Sequence, residues 1–271
     1  MRARVLPWLA VAGALALARP GFAVPQRRPT ARPRASRAYL DNVKRWHAAP
    51  SAEAPAPTTP EGWPLLVLDV LNTGERVALA PSRADGGFPA SELDRAAHAL
   101  RDTRAGNEYP VDPRLLDLAY GIARHFATSE LRVISGYRTP AKGGRSFHGR
   151  GRAMDMIVPG ATDDQVAAWA RTLGFVGVGL YPTSGFVHVD SRPRSYFWLD
   201  ASGPGQRNRG VGVLGAVATE GDRRALERGD HAPPAWAPPA AAVEPVDAHA
   251  TSGDTRDDEA DDDDGHPTGG E

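Results

Sequence analysis

The residues best suited to chemistry fall in two clusters. Ser146-Phe147-His148-Gly149-Arg150-Gly151-Arg152-Ala153-Met154-Asp155 comes first, and Phe186-Val187-His188-Val189-Asp190 follows after a helical stretch. His148 and His188 offer imidazole nitrogens and Asp155 a carboxylate oxygen. That N/O set suits one divalent zinc ion with a coordination position left open for water. An open position separates a working ion from a structural one, so the pattern points to hydrolysis. His188 and Asp190 are two apart on an expected strand and therefore face the same side of a sheet. Asp155 falls on another expected strand, with His148 just before it. If those strands are neighbours, the three ligands converge, and the glycines at 149 and 151 let the backbone turn between the first two.

The elements that must hold these residues are legible in the hydrophobic period. Trp63 opens the ordered pattern, and Leu65 to Val70, a break at Asn72-Thr73-Gly74-Glu75 and Val77 to Leu79 read as a hairpin. Ser91 is the expected cap of a first helix carrying Leu93, Ala96, Ala97 and Leu100 on one face. Asp112-Pro113 opens a second, with Leu115, Leu116, Ala119, Ile122, Ala123 and Phe126 in helical period. Leu131 to Ser135 and Ala153 to Val158 are short strands. Thr162-Asp163-Asp164-Gln165 is a capping box before Val166, Ala167, Trp169, Ala170 and Leu173, and Gly174 is the expected stop. Phe175 to Tyr181 and Phe186 to Asp190 pair around Pro182-Thr183-Ser184-Gly185. The expected fold is α+β: a small, mainly antiparallel sheet carrying the site, flanked by helices.

Composition bounds the rest. The chain has 271 residues with 25 Pro and 29 Gly crowded toward both ends, so less than the whole is expected to fold. Residues 1–23 read as a signal peptide: Arg2 and Arg4, an apolar run from Val5 to Ala18, then Gly21-Phe22-Ala23. The run is short for a membrane span, so export without lasting membrane insertion is expected. Residues 24–62 read as a Pro/Ala/Arg-rich linker with one helical turn, 63–205 as the folded domain and 206–271 as a low-complexity, largely disordered tail with acid crowded over 254–264. A net charge of −1 provides no field that would draw in nucleic acid. There is no cysteine, so any metal must be held by His and carboxylate, a choice suited to an oxidising compartment.

Ser146-x-His148-x-x-Gly151-x-Ala153-x-Asp155, with His188-Val189-Asp190 after it and Ser135-Gly136-Tyr137-Arg138 before it, resembles the D-Ala-D-Ala metallopeptidase family. That family shares a zinc fold with lysostaphin-type peptidases and the hedgehog signalling domain. Leu100-Arg101-Asp102-x-Arg104, Val111-Asp112-Pro113 and Gly177-Val178-Gly179-Leu180-Tyr181-Pro182 are similar to its murein endopeptidase K branch. The resemblance covers roughly Leu65 to Trp198.

The resemblance implies His148, Asp155 and His188 as zinc ligands, Arg138 on the substrate oxyanion, and Ser146 against substrate near the metal. Tyr137 is a further residue expected at the cleft, with packing in the core as the alternative. Many relatives carry an acidic base three residues before the last histidine, where this chain has Gly185. Two roles then stand open for Asp190: taking a proton from the activated water, or orienting His188. Relatives carry a longer insertion where this chain has only Thr139 to Arg145. The implied protein is an exported zinc peptidase of the periplasm or cell envelope acting on cross-links or stems of peptidoglycan. A D,D-carboxypeptidase or dipeptidase trimming stem ends is one alternative, and a catalytically silent, metal-containing wall-binding domain is another. Zinc is preferred, although affinity order alone lets other divalent ions compete.

Overall fold

The computed structural model describes residues 35–50, 57–141 and 144–234. The expected signal peptide and the acidic run over 254–264 lie outside the described residues. Within them the order is α1 (Arg37–His47), β1 (Leu66–Val70), β2 (Glu75–Leu79), α2 (Ala90–Ala99), α3 (Pro113–His125), β3 (Leu131–Ser135), a 3₁₀ turn (His148–Arg150), β4 (Ala153–Ile157), α4 (Asp163–Ala170), β5 (Val176–Tyr181), β6 (Phe186–Ser191), β7 (Tyr196–Leu199), β8 (Val211–Val213) and α5 (Gly215–Glu227).

The fold is α+β, as expected, but the sheet is larger and more mixed than a small antiparallel one. Its eight strands run β2-β1-β3-β4-β6-β5-β7-β8. Five neighbouring pairs are antiparallel, and β1–β3 and β5–β7 are parallel. Both expected hairpins form, β1 with β2 and β5 with β6.

Strand alternation divides the sheet into two unlike faces. Leu66, Leu68, Leu131, Val133, Met154, Met156, Val176, Val178, Val187, Val189 and Phe197 point to one, where α2, α3, α4 and α5 contribute the rest of a continuous apolar core. Ile134, Ile157, Tyr181, Phe186 and Trp198 make a second, smaller cluster with Trp46 of α1. His188, Asp190 and Asp155 alternate with the first set and share this second face.

Local chemistry explains most helix starts. Asp112 accepts from Arg114 N at 3.0 Å, and Pro113 occupies the first position of α3. Thr162 and Gln165 form the reciprocal capping box of α4. The first helix of the domain starts differently: Pro89 precedes α2 in extended geometry with no side-chain cap, and Ser91 lies inside the first turn. Gly174 does not end α4 directly, because the helix stops at Ala170 and Gly174 turns the chain toward β5 at φ +78°.

Two helices lie where linker and tail were expected. In α1 the stripe Tyr39, Val43, Trp46 recurs at helical spacing. Ser36 caps its start, and Arg132 Nη1 donates to the carbonyls of Arg45, Trp46 and Ala48 at 2.7–3.0 Å, closing its end. Tyr39 Oη donates to Ser184 O at 2.7 Å. In α5, Ala218, Gly221 and Ala225 are buried, and Asp222 accepts from Phe175 N, Ser195 N and Ser195 Oγ at 2.6–2.9 Å.

Candidate metal centre

The register of three central strands assembles the site. On β6, Asp155 of β4 stands opposite His188 from one side, and Gly179 of β5 from the other. Asp190 is likewise flanked by Ala153 and Gly177. The glycines leave space for bulky groups. A Cβ on Gly177 would overlap Asp190 Oδ2 and the Arg192 guanidinium, and one on Gly179 would overlap the Trp198 indole. Trp198 covers Gly179 and lies 5.0 Å from the His188 ring at a 55° tilt.

His148 reaches the same point from the 3₁₀ turn. Its backbone N–H donates to Ser146 Oγ at 3.2 Å, and Gly151 closes the turn at φ +64°. A side chain at 151 would be strained by that φ and would strike the Pro110 carbonyl. Between Val133 and Ser135 the pairing of β3 with β4 slips by one residue, a bulge just before Gly136. The Gly136 carbonyl accepts from His148 Nδ1 at 2.6 Å.

Three candidate ligand atoms now face one another. His148 Nε2 is 3.1 Å from His188 Nδ1, His188 Nδ1 is 2.8 Å from Asp155 Oδ1, and His148 Nε2 is 3.4 Å from the same oxygen. The three residues form a cluster able to hold a metal ion. Bonds of about 2.0–2.1 Å at tetrahedral angles require ligand–ligand edges of roughly 3.3 Å, so these edges fit a small four-coordinate cation. The opposite side of each ligand is already occupied. His148 Nδ1 bonds the Gly136 carbonyl, His188 Nε2 bonds Asp190 Oδ2 at 3.0 Å, and Asp155 Oδ2 accepts from Arg138 Nη2 at 2.7 Å. These outer bonds aim one donor atom from each residue at a common point.

The electrostatics favour positive charge there. Burial alone would lower His188, but Asp155 and Asp190 on its two nitrogens raise it to about 10. Burial alone would raise Asp155, but His148, Arg138 and His188 hold it well below the usual carboxylate range. Asp190 is fully buried and also held low, by Arg192 first and then His188. Arg192 Nε donates to Asp190 Oδ1 at 2.6 Å and its Nη2 donates to Oδ2.

Residues 61–196 match a family described as "Peptidoglycan L,D-endopeptidase MepK". The chain belongs to that family. A relative in Haemophilus influenzae, named "Probable peptidoglycan L,D-endopeptidase MepK", is 33% identical over 142 residues, 48% of this chain and 76% of the relative. The Escherichia coli K12 relative, "Peptidoglycan L,D-endopeptidase MepK", is 32% identical over 148 residues, 49% of this chain and 79% of its own length. No solved structure matches. The resemblance read from His148, Asp155, His188 and Arg138 thus identified the right family and branch. Both α1 and α5 lie outside the segment that matches the MepK family.

The remaining expected site residues are placed as follows. Tyr137 stacks on Tyr109 with centroids 5.0 Å apart, and burial raises both phenols. Ser146 Oγ accepts from His148 N and so shapes the ligand turn itself. Gly185 turns the β5–β6 hairpin at φ +70°, with Val43 of α1 packed against it. The short loop expected over Thr139 to Arg145 includes residues 142 and 143, which lie outside the described residues. Sequence reasoning missed Arg192, whose partner Asp190 is two residues away, and the role of Gly136, named only within its motif, whose carbonyl fixes His148. It missed Asp102 as well, whose carboxylate accepts from the backbone N–H groups of Arg104, Ala105 and Thr139 and so anchors the segment after Arg138. Asp102 was legible only as part of the Leu100-Arg101-Asp102 motif.

Proposed function

We propose that this chain is a zinc peptidase that hydrolyses an L,D peptide bond in peptidoglycan cross-links, with His148 Nε2, Asp155 Oδ1 and His188 Nδ1 as the ligands. The observation that carries the reading is that three buried donor atoms converge within 3.4 Å of one another, each fixed from behind. Membership in the MepK family supports the substrate class. When bound, zinc supplies a Lewis acid for the scissile carbonyl and acidifies water.

The chain's own residues supply the rest. Arg138 holds Asp155 so that Oδ1 points to the histidines, and its side chain is 22% exposed, so a substrate oxygen can reach the same guanidinium. There it would stabilise developing oxyanion charge. Of the two roles open to Asp190, orientation of His188 has the better support. Both carboxylate oxygens are occupied, the group is fully buried, and a carboxylate held so low is a poor proton acceptor at neutral pH. Gly185 offers no acid–base group. We place the protein in the cell envelope after export, which fits both the expected signal segment and the substrate of its relatives. No helix among the described residues is long and apolar enough to cross a membrane.

Digestion of purified cross-linked muropeptides tests this reading. Conversion of cross-linked dimers to monomers is the expected result. Loss of terminal residues alone would replace it with a stem-trimming carboxypeptidase. Zinc-loaded protein that releases no peptide would sink it.

A further inference from the structure

We propose that Arg192 is a positioning residue for the metal centre: clamped on Asp190 and lying over Phe147, it ties together the supports of both histidine ligands. This rests on the zinc reading above and goes beyond it, since Arg192 is not itself one of the ligands.

The guanidinium is buried at 6% exposure and works on two sides. On one, Nε and Nη2 engage both oxygens of Asp190, whose Oδ2 also accepts from His188 Nε2. That bond holds the imidazole from its Nε2 side and turns Nδ1 toward His148 and Asp155. On the other side the guanidinium carbon lies 4.5 Å from the Phe147 ring centroid. Phe147 directly precedes His148 and starts its 3₁₀ turn. One cation therefore sets the rotamer of His188 through Asp190 and braces the turn that carries His148. Trp198, which lies beside the His188 ring, is also within 5.5 Å of this guanidinium.

The surroundings are shaped to admit the pair. Gly177 has no Cβ where Asp190 and Arg192 need the space. Arg192 N donates to Phe175 O at 3.1 Å, fixing the start of the side chain. A buried ion pair adds little net stability over an apolar substitute, so the space reserved for this one calls for another purpose. A planar fork suits two carboxylate oxygens and an aromatic face together, which a lysine ammonium cannot do.

Zinc affinity, read by chelator competition, tests the proposal in wild type, Arg192→Gln, Arg192→Lys, Asp190→Asn and the Asp190→Asn/Arg192→Gln double variant. Arg192→Gln should bind zinc about 10–100-fold more weakly, and Arg192→Lys should show a smaller loss in the same direction. The double variant should be no weaker than the worse single one, because both changes break one chain of contacts. Losses that add in full would overturn the proposal. So would affinity within about twofold of wild type in either Arg192 variant, with Arg192→Lys deciding where Arg192→Gln does not fold. Wild type that binds no zinc is a separate result and removes the metal reading itself.

Discussion

Arg138 and Asp155 meet through one oxygen: Arg138 Nη2 donates to Oδ2 at 2.7 Å, while Oδ1 stands 2.8 Å from His188 Nδ1 and 3.4 Å from His148 Nε2. The carboxylate is thus divided between an arginine and two histidines. Arg138→Ala should lower kcat/KM by about 10²–10³-fold if the guanidinium also serves the oxyanion. Saturating zinc separates the two duties. A loss that persists at saturation belongs to substrate, and one that zinc fully restores shows that Arg138 acts only through Asp155.

Zinc should stabilise the fold, because it binds the assembled cluster of His148, Asp155 and His188, which the unfolded chain lacks. At free zinc about 100-fold above Kd the gain is about 2.7 kcal/mol, a Tm rise of roughly 5–10 °C for a domain of this size. His188→Ala should abolish the rise. Thermal melts with zinc and with a chelator check it, and equal zinc shifts in the two proteins would remove His188 from the ligand set.

What the sequence disclosed was what is encoded locally. Alternation placed His188 and Asp190 on one face and Asp155 on a strand, and the caps at Asp112 and Thr162 follow from side chains within three residues of the groups they bind. The order of the strands was not encoded locally, and the β4–β6 contact that brings Asp155 to His188 had to be supposed. Arg192 escaped notice because its role depends on a ring at Phe147, far away in sequence. The helix α1 was hidden by composition. Its Tyr39, Val43 and Trp46 stripe sits among arginines beside a Pro-rich stretch, and only the Ser184-Gly185 turn and the second apolar cluster beneath it reveal why that stripe is apolar. The same turn leaves no room for an acidic side chain at position 185: Gly185 has positive φ, and Val43 fills the space a side chain would take.

The seat of α1 should depend on pH. His47 Nε2 lies 3.0 Å from Asp163 Oδ1 of α4, and its Nδ1 bonds the Val43 carbonyl at 2.8 Å. Asp163 raises the imidazole above its usual 6.5, against burial and the nearby Arg132. A raised value means that the stabilisation is fully present below about 6.5 and is lost as pH climbs through the raised value. The Tm gap between wild type and His47→Gln should therefore be widest near pH 6 and narrow in alkaline buffer. A gap that widens with pH would contradict the pairing.

The C-terminal boundary of the working domain should lie beyond α5 and not at residue 205. Asp222 is the acceptor for Phe175 N at the start of β5 and for Ser195 N and Oγ before β7. Those two points bracket Arg192, whose own N–H bonds Phe175 O. Replacing Asp222 with Ala leaves part-buried donors without their acceptor, at a cost of about 1–3 kcal/mol. Urea unfolding should register that loss as a lower midpoint with an unchanged m-value. The damage should also reach the metal centre, because Phe175 anchors the backbone of Arg192. Asp222→Ala is therefore expected to weaken zinc binding although α5 contributes no ligand. Full stability and full zinc affinity in that variant would return the boundary to the end of the segment that matches the MepK family.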